Sequence, residues 1–264
     1  MSESPSKIYK YHVANLRELE LAISHTSRLA RSTIASKDPQ NSLRSLLRLY
    51  SFLVGAWAET RLKKLLYEEG GFLNKEREQI ETKASQLEKW QTTVDLAFRK
   101  HHKVKKAPLN AQNLGVAHAA RRGALQEVLS NELKIIIEIR NKLAHGQWIY
   151  PFNNEGTAVE EGKYQLINKE NLQSLQLKFS LIGHLAEATH DLVVSPETFE
   201  RDFEDHFRKL IQVRLNLKKK DYRKYEHFLK SSREKARQEK KSNNSNNIGA
   251  LEKSRDHSRY DVED

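Results

Sequence analysis

Residues 43–66 read LRSLLRLYSFLVGAWAETRLKKLL, and apolar side chains return along them at helical spacing: Leu43, Leu46, Leu47, Tyr50, Leu53, Val54, Trp57, Ala58, Leu62 and Leu65. A stripe that wide, kept up until Gly70 and Gly71, predicts a helix at the centre of a bundle. Glu59 interrupts its second face, with Phe52 and Leu66 seven residues to either side. An acid in such a place needs a partner, because an unpaired buried carboxylate is costly.

The same periodicity organises the neighbouring chain. Leu16, Leu19, Ile23 and Ala30 predict a helix over residues 10–34, broken at Asp38 and Pro39. Ile80, Ala84, Leu87, Val94 and Phe98 predict one over residues 74–102, and a further helix over 116–144 carries a jog near Ser130 and Asn131. Pro151, Asn153, Asn154 and Gly156 mark a turn, after which residues 157–159 and 164–167 are expected to pair as a small β-hairpin. Asn168 is the expected cap of a helix striped by Leu172, Leu175, Phe179, Ile182, Ala186, Thr189 and Val193. Ser195 followed by Pro196 starts another, on which Phe199, Phe203, Phe207 and Leu210 face the body. The predicted class is all-α, with residues 1–195 as one helical domain, 196–241 as an amphipathic and then basic helix, and 242–264, rich in Ser, Asn and mixed charge, as a disordered tail.

Function is most legible where the fourth of these long helices ends. Residues 135–148 read IIIEIRNKLAHGQW, an apolar helix finishing in Arg140, Asn141 and His145. To cleave RNA without a metal, a protein must take the proton of a ribose 2′-hydroxyl, stabilise the charge on the phosphorane and protonate the departing 5′-oxygen. Histidine titrates near neutrality and serves as acid or base. Arginine stays charged and offers a planar fork matching two phosphate oxygens, and asparagine can orient either. Four residues apart, Asn141 and His145 share a helix face, whereas Arg140 and His145 diverge by roughly 140°. Gly146 suits a left-handed terminus that lets His145 leave the helical path. One chain therefore offers half a site, and a two-fold dimer would bring two arginines and two histidines around one phosphate. Arg140 is also a candidate partner for Glu59, as a supporting contact.

Arg140, Asn141, three residues and His145, with Leu143 and Ala144 before the histidine and Gly146 after it, resemble the R-x4-6-H motif of the HEPN superfamily, in which a polar residue often follows the arginine. The resemblance extends over residues 1–195 in helical layout and is specific over 135–146. It implies an all-α bundle and metal-independent endoribonuclease activity, with His145 as general acid or base, Arg140 as phosphate clamp and Asn141 as the orienting group. It further implies a homodimer with a shared site, products ending in 2′,3′-cyclic phosphate and 5′-hydroxyl, and a setting in bacterial or archaeal defence or toxin–antitoxin systems, with an antitoxin or defence-system partner. Some HEPN-type domains are catalytically silent modules that bind nucleic acid or protein, which is the alternative expectation. A second pair at the same spacing, Arg201 and His206, lies in a charged amphipathic helix where a solvated face is the better reading.

Charge is placed elsewhere. The chain of 264 residues carries a formal +11, of which residues 208–241 supply 14 Lys/Arg against 4 Asp/Glu. Lys218, Lys219, Lys220, Arg223 and Lys224, with Tyr222, Tyr225 and Phe228 among them, predict an RNA-holding element in which cations follow phosphates and rings stack on bases. A second basic run, residues 99–106, is a lesser candidate for the same role. The absence of cysteine excludes disulfides, thiolate catalysis and Cys-based zinc sites. No glycine-rich phosphate loop is present. His184, Glu187 and His190 give one Glu-x-x-His pair where a carboxylate-bridged di-metal site needs two, so no metal or cofactor is expected. No apolar run approaches membrane length and no secretory leader pattern occurs, so a soluble, cytoplasmic protein without membrane contact is expected.

Overall fold

The computed structural model describes residues 3–36, 40–219 and 221–257, with residue 40 and residues 241–257 described by their backbone alone. The described chain is mostly helical. Helix α1 (Pro5–Ile34) starts with proline in its first turn, where the missing N–H costs nothing. Helix α2 (Gln40–Leu66) is the expected central helix: it packs against α1, α7 (Lys134–Ala144) and α9 (Leu172–Val194). Its stripe from Leu47 to Leu66 lies in the core, with Val54, Ala58, Leu62, Leu65 and Leu66 almost without solvent contact. The expected break at Asp38 and Pro39 falls outside the described residues.

The predicted single helix over 74–102 is two, α3 (Asn74–Glu81) and α4 (Gln86–His101). The division comes at Ser85, whose hydroxyl accepts from Glu88 N–H while the Glu88 carboxylate accepts from Ser85 N–H. That reciprocal cap is a start signal inside the apolar pattern. Ala84 consequently lies exposed in the connection, and Trp90 fills the core with Val94 and Phe98.

After the short α5 (Ala111–Leu114), α6 (Val116–Val128) runs into α7 through a π-helical turn, Leu129–Leu133, at the expected jog. Arg214 of α10 (Pro196–Lys219) pins this turn by donating to Glu132 at 2.6 Å and Glu127 at 2.8 Å.

The expected hairpin is not formed. Among the described residues the one β-type pairing is an antiparallel bridge between Phe152 and Val159, and residues 164–167 belong to helix α8 (Glu161–Lys169). The reversal is made locally instead. The Asn153 side-chain carbonyl accepts from Thr157 and Ala158 N–H, closing the loop on Phe152 before a second strand can begin. Helix α8 then buries Ile167 against Ile139 and Leu143. Asn168 does not cap α9; Asn171 does, exchanging hydrogen bonds with Ser174.

Helix α10 begins at Pro196 as expected and buries Phe199, Phe203 and Leu210. Helix α11 (Tyr222–His257) starts at Asp221, whose carboxylate accepts from Arg223 N–H, so the expected single C-terminal helix is divided here. It returns over α1, where Arg233 donates to Ser32. Its backbone stays helical through the Ser/Asn run expected to be disordered, as far as His257; residues 258–264 lie outside the described residues. Among the described residues no helix is long and apolar enough to cross a membrane.

Candidate functional site

Arg140 reaches the surface in the last turns of α7, and its position is set by a glycine on α2. A Cβ built on Gly55 would lie 2.4 Å from Arg140 Cβ and 2.7 Å from its Cγ. Only a residue without a side chain lets the two helices meet there. The guanidinium then lies along α2, donating through Nη2 to the Glu59 carboxylate and through Nη1 to Asn141 Oδ1 at 3.1 Å. Lys63 sits 3.2 Å from the other Glu59 oxygen. Glu59 thus has the cationic partner its apolar surroundings require, and Arg140 is about a quarter exposed at the edge of the contact. Its Nε is buried with no acceptor.

The end of α7 turns as Gly146 suggested. Gly146 adopts φ +75°, its N–H reaches Leu143 O at 3.1 Å, and Gln147 N–H reaches Lys142 O at 3.0 Å. This is the Schellman pairing of a helix stopped by a left-handed residue. His145, the last residue before that turn, stands exposed in the open. Asn141 and His145 line one open groove together with Lys142, Lys163, Asn153 and Asn154, whereas Arg140 stands outside it against α2. Lys142 and Lys163 both pair with Glu160, which their hydrogen bonds, Lys163 foremost, hold below the ordinary carboxylate range.

The chain that leaves His145 is fastened by a residue the sequence stripe passed over. Arg48, 3% exposed among the apolar positions of α2, donates from Nε to Trp148 O at 3.0 Å, from Nη1 to Ile167 O at 2.6 Å and from Nη2 to Asn168 Oδ1 at 2.8 Å. Burial pulls its pKa below the ordinary arginine value. Three acceptors satisfy the buried guanidinium and fasten to α2 both the chain leaving His145 and the end of α8. A basic residue inside an apolar stripe was its signal, as a mid-helix glycine was for Gly55.

The other sequence candidates separate clearly. Lys218, Lys219, Arg223 and Lys224 are exposed, and Lys220 lies outside the described residues. Lys219, Lys224, Tyr225 and Phe228 line a shallow groove with Gln173. Of the three aromatics Phe228 is the exposed ring, at 63%; Tyr225 donates its hydroxyl to Gln176, and burial pushes the Tyr222 phenol up to about 12. Part of the basic run 99–106 is engaged with the protein itself, while Lys103, Lys105 and Lys106 are exposed. Arg99 donates to Ala107 O, Lys100 to the carbonyls of Gly70 and Gly71, and His101 faces Glu200. His184 pairs with Glu187, and His190 with Asp191, along a polar face of α9.

Compared with protein-family models, with curated proteins and with solved structures, the chain matches none.

Proposed function

We propose that the protein is a metal-independent endoribonuclease of the HEPN type, working as a homodimer. The observation that carries this reading is the end of α7: Asn141 and His145 share one open groove, and Arg140 is clamped beside it by Glu59. In the reaction the ribose 2′-oxygen attacks the adjacent phosphorus and the bond to the 5′-oxygen breaks. One His145 accepts the 2′-hydroxyl proton, and the second, from the partner subunit across the two-fold axis, donates a proton to the departing oxygen. Arg140 stabilises the extra charge on the phosphoryl oxygens, and Asn141 holds the arginine's orientation. The products are a 2′,3′-cyclic phosphate and a 5′-hydroxyl. RNA is held by Lys218, Lys219, Arg223 and Lys224 beside the exposed Phe228, where cations and an aromatic face suit a single strand. A defence or toxin–antitoxin role in the cytoplasm, with a cognate antitoxin or defence-system partner, is the setting this chemistry fits.

A second reading has a specific observation behind it. Arg140 already gives hydrogen bonds to Glu59 and Asn141, as in a helix end with no chemistry to perform, while exposed cations gather at residues 218–224. On that reading the protein binds nucleic acid and does not cut it. Incubation of single-stranded RNA with wild-type protein in EDTA separates the two: cleavage of RNA with DNA left intact supports the nuclease, and retention of intact RNA supports the binder. A strict requirement for Mg²⁺ or Mn²⁺ would overturn the metal-independent mechanism.

A further inference from the structure

Three histidines and a glutamate from three helices meet away from the groove at the end of α7. His101 closes α4 and His102 follows it; His118 stands in the first turn of α6, and Glu200 near the start of α10. The ring centroids of His101 and His102 are 4.4 Å apart, and those of His102 and His118 4.3 Å. Glu200 Oε1 is 3.0 Å from His101 Nε2, and Oε2 is 3.0 Å from His118 Nε2 and also accepts from Arg121. His102 Nε2 is buried in this cluster with no hydrogen-bond partner.

Ordinary ion pairing accounts for part of this arrangement. Arg121 and His118 both address Oε2, and His118 Nδ1 lies 3.1 Å from Leu114 O, which fixes the ring. Nothing in such a network uses His102. Its ring stacks on Phe98 at an interplanar angle of 11°, and its buried Nε2 has no hydrogen-bond partner. One potential ligand atom each from His101, His102 and Glu200 lies within 4.8 Å of the others. With metal–ligand bonds of about 2.0–2.2 Å, tetrahedral ligand atoms stand about 3.4 Å apart. Small side-chain rotations close the set.

We propose that His101, His102 and Glu200 bind one divalent transition-metal ion of the Zn²⁺ class, with water in the remaining position. Imidazole and carboxylate together select such ions over Ca²⁺ or Mg²⁺, which take oxygen donors. Arg121 and His118 hold Oε2 and leave Oε1 for the ion, acting as positioning residues of the kind that orient metal ligands. The bound ion fastens the end of α4 to α10, the helix that leads to the basic segment, and touches none of the groups proposed for RNA cleavage. Its role is structural, and cleavage in EDTA is independent of it.

The test uses the full chain without an affinity tag, stripped with chelator, dialysed and titrated with Zn²⁺ in a calorimeter. One equivalent per chain is expected, with a rise in the thermal midpoint, and Co²⁺ in its place should give the visible bands of a four-coordinate site. The double variant His101→Gln/His102→Gln should lose the saturable site. His118→Ala should weaken it by about 10–100-fold, and His184→Gln/His190→Gln should leave it intact. Wild-type protein that takes up no stoichiometric Zn²⁺ at neutral pH overturns the proposal, whether or not any variant folds. Unchanged binding in a folded His101/His102 variant overturns it as well. Zn²⁺ binding and RNA cleavage are read separately, so His145→Ala, which leaves the ion site untouched, distinguishes failure of the nuclease reading from failure of this one.

Discussion

An arginine stands five residues before a histidine twice in this chain, and the two pairs come to opposite ends. At Arg140 and His145 the helix stops: Gly146 takes the left-handed conformation, His145 is released into an open groove, and Arg140 is held at the edge of α2. At Arg201 and His206 the helix continues for three more turns. Arg201 is left in solvent against its neighbour Asp202, while His206 points inward and meets Asp191 Oδ2 at 2.9 Å. Identical spacing gives a candidate site in one place and a core contact in the other. Helix termination separates the two cases: the turn at Gly146 leaves His145 exposed at a helix end, whereas the continuing α10 turns His206 into the core, and in both pairs the roughly 140° divergence of the helical period remains.

The largest effect should separate the pairs outright. His145→Ala is expected to lower RNA cleavage in EDTA by at least about 10²-fold with the thermal midpoint almost unchanged. His206→Ala is expected to leave the cleavage rate near wild type and to destabilise the fold by about 1–3 kcal/mol, since Asp191 is deprived of a buried partner. Equal loss of activity in both variants would erase the distinction. A gel-based cleavage assay beside thermal melts decides it.

If the first pair supplies half a site, its two members need not come from one chain. Inactive Arg140→Ala and His145→Ala subunits, mixed and shown to form heterodimers, should regain partial activity. No recovery in verified heterodimers would place the whole site within one subunit.

Gly55 sharpens the comparison from the side of α2, since only the first pair depends on it. Gly55→Ala should cost about 1–3 kcal/mol of stability through overpacking and displace Arg140 from Glu59, reducing cleavage as well. Chemical denaturation and cleavage assays measure the two losses. A variant with unchanged stability would mean that the close approach of the two helices relaxes without penalty.

The smallest effect belongs to neither pair. Lys219→Ala/Lys224→Ala should weaken RNA binding and flatten the dependence of log affinity on log salt, by about 0.7 for each phosphate no longer neutralised. Cleavage of saturating RNA should persist. An unchanged slope would remove this face from the binding surface.

Much of the helical plan was legible because burial repeats with the helical period. The stripe of residues 43–66 identified the central helix, and Gly146 identified the terminus that exposes His145. What escaped the sequence has two sources: local side-chain caps hidden by an apolar pattern, and partners distant along the chain. Residues 164–167 carry apolar side chains that suit a strand as well as a helix, and only Asn153 closing its own loop removes the strand partner. Ser85 with Glu88 was a readable cap hidden by a continuous apolar stripe. Arg48 was passed over in the stripe, and its acceptors, Trp148, Ile167 and Asn168, come from a hundred or more residues away. His101 and His102 read as part of a basic run, and only the fold brings Glu200 to them.

The π-helical turn at Leu129–Leu133 makes the candidate site a matter of counting. Each residue of α-helix advances the chain by about 100° and 1.5 Å, and the wide turn inserts one residue into an otherwise regular helix just ahead of α7. Because the wide turn is where the extra residue is taken up, a one-residue deletion there closes it to regular α-helix and leaves Arg140 at the Gly55 notch, with Ile136, Ile139 and Leu143 on their packing positions. The segment is therefore the place along α6 and α7 where the chain gives up one residue at least cost to the site. Arg214 and Gln91, which reach Glu132 and Ser130 from other helices, act as stops that keep the count.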